Sequence, residues 1–156
     1  MLRPLALSML LMTTPAFAQE FVIGLGSDNF DDGPEAVSFL LETRFSTFST
    51  VGPFELRSGA ALEVDEDGDA WAGYGVFATA PLTDNLDFVT SFAPGLYEQG
   101  DGQDLGGVVE FRTQLGLSYD LGKSSIGLVF EHKSNAGLYD LNPGVNTVYL
   151  TYGIGF

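Results

Sequence analysis

The chain has 156 residues, a length for one domain, with 20 glycines, 45% hydrophobic residues and a formal net charge of −15. So acidic a balance excludes a basic face for neutralising phosphates, and nucleic acid is not an expected partner. There is no cysteine and no interior apolar run of the roughly 18 residues a membrane helix needs, which excludes a disulfide framework, a lipid-bearing cysteine and helical membrane spans.

The first element is MLRPLALSMLLMTTPAFA, where Arg3 precedes a short apolar core and Ala16-Phe17-Ala18 follows. It predicts a secretory signal peptide over residues 1–18, with a mature β-barrel domain over 19–156. Without Arg3, 5 basic residues face 21 acidic ones, a charge of −16. The acids gather at Asp28–Asp32, Asp65–Asp69 and Glu98–Asp104, and these read as solvated loop tips. DEDGD at 65–69 lacks the terminal Glu of an EF-hand loop and reads as a turn, not a calcium site.

Between those tips the dominant period is two, which predicts strands. Phe21, Ile23 and Leu25 share one face of the first, and Val37, Phe39, Leu41, Thr43 and Phe45 one face of the second, with Ala36, Ser38, Glu42 and Arg44 opposite. The third sets Phe54, Leu56, Ala60, Leu62 and Val64 against Glu55, Arg57, Gly59 and Glu63. Ala70–Ala80 is a fourth, Gly-rich strand whose faces the pattern leaves open, and Pro81–Asn85 is a turn. A fifth spans Leu86–Tyr97. The sixth sets Val109, Phe111, Leu115, Leu117 and Tyr119 against Val108, Glu110, Arg112, Gln114 and Ser118; Ser124–Ser134 is the seventh and Val145–Phe156 the eighth.

Eight long strands joined alternately by short turns and longer polar loops predict an all-β fold, an eight-stranded antiparallel transmembrane β-barrel. Periodicity alone does not separate this from a soluble barrel with an apolar cavity. Three features favour the membrane. Charges of both signs sit mid-strand on the minority face, where a narrow lumen can pair them away from lipid. The ending ValTyrLeuThrTyrGlyIleGlyPhe resembles the signal by which the barrel-assembly machinery recognises outer-membrane barrels. The third is the export signal. The expected location is the outer membrane of a Gram-negative cell.

Chemistry is sought at the single histidine. Ile126, Leu128, Phe130, His132 and Ser134 share parity, so imidazole and hydroxyl are predicted on the lipid-facing side. Residues two apart on one face are roughly 6.5–7 Å apart at the backbone, within reach for a base and its nucleophile. Asn146 has the same outward parity at the start of the next strand and is placed to meet His132 across the hairpin. The intervening 134–138 and 142–144 segments are rich in residues that expose backbone N–H groups, as an oxyanion hole needs. Asp140 is a second candidate for orienting the imidazole, whereas Glu131 has lumen-facing parity.

His132-Lys133-Ser134-Asn135-Ala136-Gly137, then Asn142-Pro143-Gly144 and the aromatic ending, resemble the lipid A 3-O-deacylase (PagL) family of acyloxyacyl hydrolases. The resemblance implies an outer-membrane esterase that removes the 3-O-linked 3-hydroxyacyl chain from lipid A of lipopolysaccharide, without metal or cofactor. By motif position it makes His132 the base, Ser134 the nucleophile, and Asn135 and Gly137 the oxyanion donors. Asn146 stands where the best-known members carry Glu, which puts full activity in doubt. The competing reading is a non-catalytic small barrel, structural or binding lipopolysaccharide or cations. A homodimer stays open.

Overall fold

The computed structural model describes residues 18–29 and 35–156. These form eight strands: β1 (Ala18–Asp28), β2 (Ala36–Val51), β3 (Phe54–Asp65), β4 (Ala70–Pro81), β5 (Leu86–Glu98), β6 (Val109–Asp120), β7 (Ser124–Ser134) and β8 (Val145–Gly155). The export signal expected over residues 1–18 lies outside the described residues, save that Ala18 opens β1. Each strand pairs antiparallel with its neighbour in sequence, and β8 closes on β1 from Glu20↔Gly155 to Asp28↔Thr147. Closure pairs every strand on both sides, which removes the edges that an open sheet must protect.

Side-chain parity sorts the wall from the lumen. Leu25, Phe39, Leu128 and Leu150 are 53%, 54%, 60% and 65% exposed on the outside. Glu42, Glu63, Arg112, Glu131 and Lys133 are buried inside. An apolar belt of this extent around a charged lumen is the transmembrane arrangement, the reverse of a soluble ligand-carrying barrel. Most lumen charges are paired, although the carboxylate of Glu110, fully buried on the same face of β6 as Arg112, has no hydrogen-bond partner among the described residues. Arg112 reaches Glu42 and Glu63, each at 2.8 Å, Arg44 reaches Glu42 at 2.7 Å, and Lys133 bonds Glu63 and, at 3.0 Å, Glu131. Three cations thus meet three carboxylates, so this network is itself close to neutral.

The open faces of β4 are resolved by bulk. Trp71 and Phe77 turn inward, where the Arg112 guanidinium lies 5.0 and 5.8 Å from their ring centres, while Tyr74 and Val76 turn outward. Two details depart from the expectation. Val108 is not a lumen residue, since β6 begins at Val109 and Val108 is exposed. β2 runs on to Val51, with register shifts between Arg44 and Thr47 and between Thr47 and Ser49 that break its alternation.

Eight strands leave an interior just filled by side chains. Leu40, Trp71, Val129 and Tyr149 belong to its packed centre, with cavities of about 460 and 620 Å³ at the two ends. Short turns at 52–53, 82–85 and 121–123 lie at one end, and the turn 66–69 with the longer connections 99–108 and 135–144 at the other.

Candidate active site

The last residues of β7 and the first of β8 carry the site, at the loop end of the wall. Inward-pointing Val129, Glu131 and Lys133 are buried, so the alternate positions His132 and Ser134 face outward, both half-buried. His132 and Asn146 are direct cross-strand partners, and Nδ1 of the imidazole lies 2.7 Å from Oδ1 of Asn146. An amide oxygen carries no hydrogen, so Nδ1 donates and Nε2 keeps the lone pair of a base. Asn146 therefore sets the tautomer that general-base chemistry requires.

Ser134 lies beyond the last β7–β8 pair, Lys133↔Val145, and opposite Phe111 on β6. It shares the face of His132, but no hydrogen bond joins the two side chains here. Such catalytic bonds are often long in unliganded sites and close when substrate binds. Asp140 is exposed in the loop, and the Nδ1 it was a candidate to orient is held by Asn146. Glu131 points to the lumen, as its parity required, 3.0 Å from Lys133.

The loop after Ser134 starts with a tight turn. Ala136 and Gly137 have φ of 54° and 80°, and the N–H of Leu138 donates to the carbonyl of Asn135 at 3.0 Å, the pattern of a type I′ turn. Asn135 is completely buried and acts as its clasp. Its amide nitrogen donates to the carbonyls of Leu105 and Leu141 at 2.8 and 2.7 Å, and its Oδ1 accepts the N–H of Gly137 at 2.9 Å. The N–H of Asn135 in turn donates to Oδ1 of Asn142 at 3.0 Å. The two residues expected to donate to an oxyanion are thus engaged within the loop in this state.

Sequence reasoning missed the support this loop takes from the one before it. The Tyr139 hydroxyl accepts the N–H of Val109 at 3.2 Å, and its ring packs against Gly107, where any side chain would strike it. Gly106, at φ 94°, meets Leu141 in the same way. The Gly106-Gly107 pair was the visible signal, but its partner lies some thirty residues on.

Chemically, the outer wall presents a hydroxyl, an imidazole with its Nε2 lone pair available, and an amide that fixes the tautomer. These are the parts of nucleophilic acyl transfer. Among the described residues no group of three or more His, Cys, Asp or Glu converges to hold a metal.

Closed topology, apolar belt and paired lumen charges define a transmembrane β-barrel, here with a Ser, His and Asn cluster on its outer face. The family model for lipid A 3-O-deacylase (PagL) matches residues 41–155, and the chain belongs to that family. It is 33% identical over 87 residues to lipid A deacylase PagL of Bordetella bronchiseptica, a match spanning 55% of this chain and 44% of that protein. The match thus spans less than half the length of that relative. The crystal structure of the outer membrane enzyme PagL superimposes with a TM-score of 0.69 at 18% identity, covering 88% of this chain and 99% of that one. A de novo designed transmembrane β-barrel gives a TM-score of 0.60 at 10% identity, covering 92% and 98%. At these identities the superpositions speak to the fold.

Proposed function

We propose that the protein is an outer-membrane esterase that removes the 3-O-linked 3-hydroxyacyl chain from lipid A, with Ser134 as nucleophile, His132 as base and Asn146 orienting the base. The observation that carries this reading is the 2.7 Å bond between Nδ1 of His132 and Asn146, on an outward face shared with Ser134 and at the end bearing the longer loops. In outer-membrane barrels that end is extracellular, and the outer leaflet is where lipid A resides. Membership of the family supports the substrate class.

In the acylation step the Ser134 oxygen attacks the ester carbonyl while Nε2 takes the hydroxyl proton. Collapse of the tetrahedral species breaks the bond to the sugar oxygen, which leaves with the proton from Nε2, and the acyl group stays on Ser134. Water then adds to that acyl carbon, giving its proton to Nε2, and Ser134 departs and recovers a proton as the fatty acid is released. An oxyanion contact from the N–H of Asn135 or Gly137 requires each to exchange its present partner, Asn142 Oδ1 or Asn135 Oδ1, when substrate arrives. The reading includes export directed by residues 1–18 and insertion by the barrel-assembly machinery. It does not require a homodimer, because one chain holds all three groups.

The test is expression in a host with hexa-acylated lipid A, followed by mass spectrometry. Loss of one 3-hydroxyacyl chain is expected with the native chain and not with Ser134→Ala. One observation favours a second reading, a non-catalytic barrel that binds lipopolysaccharide: the partner of His132 is uncharged. An unaltered lipid A profile beside a well-folded native barrel decides for it.

A further inference from the structure

Gly144 closes the β7–β8 loop immediately after Pro143, with φ of 70°. Pro followed by Gly at positive φ is the chemistry of a type II turn, which accounts for the backbone but not for what lies above it. A Cβ built on Gly144 would stand 2.8 Å from Cε1 and 3.3 Å from Nε2 of His132, and 3.2 Å from the carbonyl oxygen of Lys133. No Cβ fits at 2.8 Å unless the ring moves. On its other side the ring is tied to Asn146, so it cannot move without stretching the Nδ1 bond.

The imidazole atoms that a side chain at position 144 would meet are Cε1 and Nε2, on the Cε1–Nε2 edge. It is also the edge that must trade protons with Ser134, the departing sugar oxygen and the incoming water. We propose that Gly144 is a positioning residue: its missing side chain seats His132 against Asn146 and keeps the Nε2 edge open to the reacting oxygens. The catalytic part of this inference rests on the deacylase reading; the seat itself rests on geometry alone.

The chain contains one histidine, so His132 gives a single imidazole signal. In detergent-solubilised, refolded full-length protein, Gly144→Ala is expected to move the His132 Cε1–H resonance and to slow carbethoxylation of His132 by diethyl pyrocarbonate several-fold. It is also expected to lower kcat about 100-fold with KM changed less than about threefold, the scale on which small displacements of a reacting group act. Gly122→Ala is the control for backbone strain. That glycine has φ of 99°, nothing within 4 Å of an added Cβ, and a place at the opposite end of the barrel, so activity and His132 signal should be those of the native chain.

A Gly144→Ala barrel with native turnover and an unmoved His132 resonance overturns the proposal. Should that variant not refold, the native protein still decides. An open Nε2 edge requires His132 to react with diethyl pyrocarbonate within about tenfold of free imidazole, and protection beyond that overturns it. The two readings separate cleanly. A native barrel inert toward lipid A removes the esterase function, while the resonance and the modification rate still score the seat.

Discussion

In the proposed mechanism, Asn146 decides how well His132 works as a base. Its Oδ1 accepts from Nδ1 and fixes the tautomer, yet it would not stabilise the imidazolium of the proposed acylation step as a carboxylate would. In serine proteases the change from Asp to Asn at the corresponding role costs about 10⁴ in rate, though chiefly through the wrong tautomer. Here Oδ1 faces the ring, so only the charge is missing. Asn146→Glu should raise the single-turnover rate at least about tenfold, measured by release of 3-hydroxy fatty acid from lipid A. No rise would mean that charge at this position is not limiting. At this scale the sequence was legible. Parity alone put His132, Ser134 and Asn146 on one face, because alternation holds without a break from Ser124 to Ser134 and from Val145 to Gly155.

The element that presents the site is the β7–β8 loop, and what holds it was not legible. Asn135 reaches Leu105 and Tyr139 reaches Val109, contacts thirty residues apart that no periodicity encodes. Asn135→Ala removes three side-chain hydrogen bonds within a buried setting, each worth about 1 kcal/mol. The barrel should survive while amides 136–138 exchange at least about 100-fold faster in hydrogen-exchange mass spectrometry. Unchanged protection there would show that the clasp contributes nothing. β4 was opaque for a related reason. Gly73 and Gly95 are small because the indole of Trp71 lies over both, and that requirement is visible only once Trp71 is placed in space. The end of β2 lost its pattern to the two register shifts, where an extra residue reverses inside and outside.

At the scale of the whole barrel, two opposite substitutions probe the two sides of the wall. Leu128→Arg places a charge on a residue 60% exposed in the outer belt and should cost about 2–4 kcal/mol if that belt meets lipid, read from the urea midpoint of folding into vesicles. A soluble barrel would accept it without loss. Arg112→Met removes a cation shared by Glu42 and Glu63 and should cost about 3–5 kcal/mol, because Arg44 and Lys133 remain to face three buried carboxylates and one negative charge is left uncompensated. Strand number was legible in the alternation, whereas wall polarity needed the mid-strand charges, the aromatic ending and the export signal as well; the three-against-three pairing of the lumen was legible only as charges of both signs. The outward face of the site bears on kinetics as well. An enzyme whose reactive groups look into the leaflet meets its substrate by lateral diffusion in two dimensions, so its rate should follow the mole fraction of lipid A in a mixed micelle. Diluting the micelles with water should leave turnover unchanged, whereas diluting lipid A with inert detergent should lower it in proportion.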